Sequence, residues 1–345
     1  MNLRERDQRL QENWYIACQS FRLKKNKPLK SKIYDQNLVI FRNQNNVASC
    51  LLDRCLHRHS PLSAGRISSG QIECPYHGWC FNDRGELTKI PSEKNSCTRF
   101  RKKIKHFPVI EQDGLIWIWM GDDEKPYKKP WKFPEKKGWH SYIMETNFEN
   151  EVTHLAENFM DVPHTGFVHK GWFRNVSNQK CDMTVRATNG EVWVDYKQDK
   201  DKIGFIDKLL NPTGADSVHT DHFFMPNITK VDYLFGAHRG FSIISQCTPE
   251  STLQSKVFTQ ISYRLFPGID AVFKPFLNWY TRQVINQDVE IMKLQGKNID
   301  DLSRPKFTGG QADQIHREIE KLRIQGINDP DTVPTSSENI VSIWI

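Results

Sequence analysis

The chain has 345 residues, 38% of them hydrophobic and 26% charged, with a formal net charge of +7. It has no apolar run near the eighteen or so residues of a membrane span, which excludes a helical membrane protein and leaves a soluble chain with room for two ordinary domains. Eight cysteines are too few for a disulfide scaffold at this length and read instead as metal ligands or buried thiols.

The N-terminal stretch Met1–Asp7 is charged and lacks the apolar core of a secretory signal, so a cytoplasmic location is expected. The first third then predicts short strands at Leu38–Phe41, Ala48–Leu52, Gln71–Glu73 and Leu115–Met120, separated by Asn, Gly, Pro and Ser positions. A Lys/Pro-rich stretch, Asp122 to Gly138, is the candidate linker and places domains at 1–135 and 136–345. A helical segment follows around Asn150–Met160, then strand-like alternation at Val192–Tyr196 and Val257–Leu265. A long helix is predicted over Asp270–Gln295 and a shorter one over Gln311–Leu322. The class is α+β: a small antiparallel β domain, then an antiparallel sheet with helices gathered near it.

Basic residues cluster at Arg22–Lys32, Arg101–Lys105 and Lys128–Lys137. Solvated loops or a docking face for an acidic redox partner account for them; no motif accompanies the charge that would suggest nucleic acid.

Two loops in the first domain carry chemistry. Cys55-Leu56-His57 is followed after sixteen residues by Cys74-Pro75-Tyr76-His77. Each loop offers one thiolate and one imidazole, the supply that a [2Fe–2S] cluster with two cysteines on one iron and two histidines on the other requires. Pro75 and Gly78 favour a tight second loop, while Gly65 and Gly70 break the connecting stretch. The competing reading is zinc, but zinc fingers segregate their cysteine and histidine pairs. His59 reads as a polar loop residue. Cys18, Cys50, Cys80, Cys97, Cys181 and Cys247 have no partner spacing and read as inert.

A second constellation begins at Asn158 and includes Asp161, His164 and His169. The first three recur every three residues, near one helix face. His169 lies about 140° out of phase with His164 on a continuous helix, so both reach one ion only if the helix is distorted between them. Gly166 makes a break there plausible, and Pro163 perturbs the preceding turn. Two helical histidines alone are structural more often than metal-binding. The carboxylate that would complete a two-histidine facial triad is sought in Ile285–Met292. Ile285, Asp288, Met292 and Gln295 form one inward stripe, where an unpaired acid is costly unless it meets a cation. Glu290 falls about 200° away and is expected in solvent. Phe223, Phe224 and Tyr233 are either core or pocket lining.

Cys55-x-His57-Arg58 with Cys74-Pro75-Tyr76-His77-Gly78-Trp79 resembles the Rieske signature of ring-hydroxylating oxygenase α-subunits. The run from Asn158 to His169 resembles the mononuclear-iron motif of the same family, in the family's order and separation. The resemblance implies a Rieske [2Fe–2S] cluster on Cys55, His57, Cys74 and His77, and a mononuclear Fe(II) on His164, His169 and Asp288. It implies O2 as co-substrate, a small organic substrate, and electrons from NAD(P)H through a ferredoxin or reductase. Asp161 matches the aspartate that bridges the two centres between neighbouring subunits, Asn158 lies near the iron, and a homotrimer is expected. Gln287 departs from the family, which commonly has an acid before the distal ligand. Dioxygenation, monooxygenation and O-demethylation share these ligands and stay open. The rivals outside the class are a Rieske electron-transfer protein without oxygenase activity and a zinc-stabilised nucleic-acid binder.

Overall fold

The computed structural model describes residues 7–93, 102–122, 125–173, 180–188, 190–197, 211, 214, 217–236, 238–265, 268–302, 306–328 and 336–344. The chain divides into two compact units, 1–132 and 133–345. Cys97 and Arg101 lie outside the described residues.

The first unit is built from short strands. These are β1 (Trp14–Gln19), β2 (Leu29–Ile33), β3 (Gln36–Arg42), β4 (Ala48–Leu52), β5 (Arg66–Ser68) and β6 (Gln71–Glu73). After them come β7 (Cys80–Phe81), β8 (Leu87–Lys89), β9 (His106–Phe107), β10 (Val109–Gln112) and β11 (Leu115–Trp119). They form three antiparallel sheets, ordered β1-β11-β10, β2-β3-β4-β9 and β5-β6-β7-β8. Val39, Phe41, Leu51, Leu62, Ile72 and Phe81 form a buried cluster that also contains Cys55 and Cys74. Hydrophobic burial in β3, β4 and β6 thus fixes the roots of both ligand loops. Between those loops β5 and β6 make a hairpin whose two turn residues, Ser69 and Gly70, both take positive φ, the conformation a two-residue hairpin turn requires.

The second unit holds β12 (His140–Phe148), helices α1 (Val152–Met160) and α2 (Thr165–Val168), β13 (Lys180–Thr188) and β14 (Glu191–Lys197). It continues through β15 (Ser217–Phe224), β16 (Ile228–Phe235), β17 (Arg239–Ser251) and β18 (Gln254–Arg264), and closes with α3 (Asp270–Asp300), α4 (Gln314–Asn328) and β19 (Ser337–Trp344). One eight-stranded antiparallel sheet runs β12-β18-β17-β16-β15-β14-β13-β19, a meander from β13 to β18 with β12 and β19 added at the edges. Alternation is clean at β13 and β14. Cys181, Met183, Val185 and Ala187 face the core beside Val192, Val194 and Tyr196, as expected for a half-buried pair. Ala156 and Met160 of α1 and Ile315, Ile319 and Leu322 of α4 cover that face. Leu277 and Tyr280 of α3 pack with Tyr233, Phe241 and Tyr263 of the sheet.

Candidate metal centres

The two loops of the first unit share one backbone design. Cys55 N–H donates to Ser60 O at 2.9 Å, and Cys74 N–H donates to Trp79 O at 2.9 Å. Each cysteine carbonyl in turn accepts from the fourth residue on, His59 N–H and Gly78 N–H, both at 3.0 Å. His59 and Gly78 carry positive φ, 58° and 70°. His59 is therefore the turn residue of its loop, and it is exposed.

These turns aim the four side chains together. Cys55 and Cys74 are buried and lie against one another. Burial, with Cys74 beside it, pushes the Cys55 thiol up to about 11, so a cation is needed to hold Cys55 as a thiolate. The His57 and His77 rings lie 4.5 Å apart, and Trp79 stacks on His57 at 4.7 Å. His77 is exposed. His57 Nδ1 is buried and meets no hydrogen-bond partner among the described residues, a costly arrangement unless the atom binds a metal. Two buried thiols and an orphaned imidazole nitrogen fit a mixed-ligand [2Fe–2S] cluster. Asp53 braces the first loop by accepting from Ser63 N–H at 2.7 Å and Ser63 Oγ at 2.6 Å.

In the second unit α1 ends at Met160, and Asp161 leaves it with an extended backbone (φ −88°, ψ 105°). Asn158, Asp161 and His164 are therefore not on one continuous helix. Nor does the distortion fall at Gly166: that residue sits inside α2, and the irregular backbone lies at Asp161–Pro163 and at His169 (φ −100°, ψ 22°). Pro163 accounts for the position, since it disfavours helix at the residue before it. His164 and His169 thus bracket a single turn.

Their Nε2 atoms are 3.3 Å apart, and Asp288 Oδ1 lies 3.5 Å from the first and 3.2 Å from the second. Among the described residues this is the one such group of three. Glu290, two residues on, is exposed. The rings are fixed from behind. His164 Nδ1 donates to the Asp161 carbonyl, with Asp161 Oδ2 at 3.6 Å. His169 Nδ1 donates to Gln287 Oε1 at 2.9 Å. Both Nε2 lone pairs therefore face the carboxylate, and Asn158 Nδ2 donates to Asp288 Oδ1 at 3.1 Å.

Burial alone would lower the His164 imidazole, but Asp161 and Asp288 outweigh it and raise it to about 9. Burial would likewise raise Asp288, and His164 and His169 hold it instead at about 2. Three acceptor atoms converging in a buried place, with a proton as the available counter-charge, suit a divalent ion with open positions. The sequence did not single out Gln287 as a partner of His169; its place beside Asp288 was the available signal.

The triad opens on a cavity, about 850 Å³ with its solvent-filled mouth included, lined by Phe148, Phe159, Val162, Phe173, Val231 and Ile243, among others. A second, apolar cavity of about 530 Å³ shares Phe173, Ile243, Thr281 and Val284 with it. Of the three aromatic candidates, Tyr233 lines the larger cavity, Phe223 is fully buried core, and Phe224 is half-buried outside both.

Residues 13–108 match the Rieske [2Fe-2S] domain, and residues 149–318 match the vanillate O-demethylase oxygenase C-terminal domain. The chain thus combines, in order, the two domain types found together in Rieske-type oxygenases. It therefore carries a domain type that holds a [2Fe–2S] cluster and one that holds non-haem iron. It is 34% identical over 170 residues to chlorophyllide a oxygenase of Arabidopsis thaliana, covering 47% of this chain and 31% of that protein. It is 31% identical over 189 residues to the oxygenase component of dicamba O-demethylase of Stenotrophomonas maltophilia, covering 52% and 53%. The chain thus spans about half or less of the length of these relatives. Dicamba monooxygenase bound to dicamba superposes with a TM-score of 0.75 at 23% identity, over 91% of this chain and 98% of that one, which speaks for the fold. No helix among the described residues is long and apolar enough to cross a membrane.

Proposed function

We propose that the chain is a terminal oxygenase that hydroxylates an apolar organic substrate at an iron held by His164, His169 and Asp288. Its electrons would come through a [2Fe–2S] cluster held by Cys55, His57, Cys74 and His77. The observation that carries this reading is the buried triangle of ligand atoms, 3.2 to 3.5 Å on a side, at the wall of a largely apolar cavity. Once bound, the two groups supply single-electron transfer and O2 activation, converting R–H, O2, two electrons and two protons into R–OH and water.

The chain's own residues position and exclude. The Asp161 carbonyl and Gln287 fix the tautomers of the two histidines, and Asn158 orients Asp288. Phe148, Phe159, Phe173 and Ile243 give the cavity apolar walls that hold water poorly. Asp161 is assigned, by family resemblance, the bridge through which His164 is coupled to the incoming electron. An NAD(P)H-fed ferredoxin or reductase, a homotrimeric assembly and a cytoplasmic location complete the proposal. Exposed Arg22, Lys24, Lys25 and Lys27 suit an acidic partner.

Monooxygenation, including O-demethylation, is favoured over ring dihydroxylation by the match of residues 149–318 to a vanillate O-demethylase domain. Turnover under ¹⁸O2 with a reductase and a panel of aromatic, methoxylated and polycyclic compounds tests this. One labelled atom per oxygenated product supports monooxygenation and two support dioxygenation. A reducible cluster with no oxygenated product from any compound would leave the electron-transfer alternative standing.

A further inference from the structure

We infer that His219, held by Asp221, is the polar anchor of the cavity, and that it selects an uncharged, hydroxyl-bearing substrate of two or more fused apolar rings. The inference rests on the oxygenase reading and adds the substrate class.

His219 and Asp221 project from β15 two residues apart, on one face of the strand, and both line the larger cavity. They are 5% and 1% exposed, so the pair is almost wholly removed from water. His219 Nε2 lies 2.9 Å from Asp221 Oδ1. A carboxylate only accepts, so Nε2 carries the hydrogen, and in the neutral imidazole Nδ1 is then the acceptor left for a ligand O–H.

The ring cannot turn freely. Tyr196, His219, Tyr233 and Phe241 are direct cross-strand partners on β14, β15, β16 and β17. Their rings stack in sequence, with centroids 4.4, 4.1 and 4.8 Å apart and interplanar angles of 14°, 17° and 23°. An imidazole clamped on both faces and tied at one nitrogen presents the other in a fixed direction, the preorganisation that makes a hydrogen bond selective.

The remaining lining decides what that nitrogen meets. Ser245 Oγ and Thr259 Oγ1 bond each other at 3.0 Å, and Thr281 Oγ1 bonds Tyr142 OH at 3.1 Å. In the adjoining cavity Tyr263 OH donates to Asp270 O, and Tyr280 OH to Trp172 O. The hydroxyls of both chambers are thus largely committed, and the walls offer a ligand mainly hydrocarbon. No arginine or lysine is among the described lining residues, so apart from the metal itself an anionic ligand would find no cationic side chain there. The shared walls at Phe173, Ile243, Thr281 and Val284 suit a ligand longer than one ring.

The test is anaerobic calorimetric titration of the iron-loaded holoenzyme with naphthalene, 2-naphthol and 2-naphthoate. It is run on the natural chain, His219→Phe, His219→Gln and Asp221→Asn, with iron content and reduced-cluster EPR recorded on the same samples. The expected result is 2-naphthol at least tenfold tighter than the other two in the natural chain. His219→Phe removes that preference while naphthalene affinity changes less than threefold, and Asp221→Asn weakens the preference. His219→Gln keeps part of it and guards against a folding artefact. A preference that survives His219→Phe overturns the inference. So does tightest binding of 2-naphthoate, or no saturable binding of any probe. About three irons per chain in those samples attaches a negative result to the anchor; iron missing from the natural chain would instead strike the oxygenase reading.

Discussion

His169 is held from behind by an amide where a carboxylate is common in the family. Gln287 Oε1 accepts from Nδ1 at 2.9 Å and fixes the same tautomer an acid would, but adds no negative charge to the imidazole. Removal of such a partner typically costs ten- to a hundredfold in metal affinity. Gln287→Ala is therefore expected to weaken Co(II) binding to the metal-free site by about that factor, and Gln287→Glu to bind at least as tightly as the natural chain. Co(II) titrations followed by d–d absorbance read both, and equal affinity in all three chains would deny Gln287 a positioning role. His164 makes a prediction about pH. Its imidazole is raised to about 9, above the roughly 6.5 of an unfolded histidine. In the metal-free protein this contributes stability that is complete below about 6.5 and lost as pH rises through about 9. The shift is worth at most on the order of 3 kcal/mol. The second unit's melting temperature should therefore fall between pH 7 and 9.5 without metal and stay flatter with it, because a metal takes the proton's place. Metal loading at pH 7 should release about one proton from His164, visible in a lightly buffered indicator assay. Asp161 separates two roles: its backbone carbonyl, not its carboxylate, accepts from His164 Nδ1. Asp161→Ala should accordingly keep its iron and lose substrate-coupled O2 uptake. Near-normal uptake would remove the bridging assignment.

At the scale of elements, the triad depends on where α3 lies against the start of α1. Asn150 Nδ2 donates to Met292 O at 2.8 Å and to Gln295 Oε1 at 2.9 Å. A Cβ on Gly296 would stand 2.3 Å from Glu149 O. Alanine in mid-helix ordinarily gains about 1 kcal/mol over glycine, but a backbone oxygen that close must be pushed away, at a typical cost of roughly 1–3 kcal/mol. The clash should win. Gly296→Ala is expected to lower the melting temperature of the second unit and, by shifting Asp288 from the histidines, to weaken Co(II) binding. An unchanged or raised melting temperature would show that the two helices part without cost. The same elements show what the sequence could reveal. β4 and β6 follow from short runs bounded by turn residues, and α3 from its apolar stripe, which also placed Asp288 inward. β15 and β17 carry no such pattern, because polar residues are buried on both of their faces: His219, Asp221 and Ser245 line the cavity, while Ser242 and Gln246 are buried on the opposite face. These strands line the cavity, so function erased the periodicity that would have announced them. The break at Asp161–Pro163 lies in the turn that Pro163 was expected to perturb, whereas the break also expected at Gly166 is absent, since that residue sits inside α2.

The whole molecule separates its two chemistries into units with separate cores. The cluster loops are rooted among Val39, Phe41, Leu51, Ile72 and Phe81, whereas the triad hangs on α1, α2 and α3 over the eight-stranded sheet. Motifs made of neighbouring residues were legible in advance, since Cys55–His57, Cys74–His77 and His164–His169 each need one local loop. Pairs assembled by cross-strand register, such as His219 with Tyr196 and Tyr233, were not, because register is a property of the folded sheet. Separate cores give separable failures. Cys74 is buried against Cys55, and Cys74→Ala removes one of the four proposed cluster ligands and the thiol that packs against Cys55. The variant should lose its visible colour and reduced-cluster EPR signal, and its iron content should fall from about three to about one per chain. The remaining iron should titrate as the mononuclear site does in the natural chain, because its three candidate ligands, His164, His169 and Asp288, all lie in the second unit. A retained cluster signal would remove Cys74 from the ligand set. Loss of all three irons with an unfolded second unit would show that the two cores are not independent.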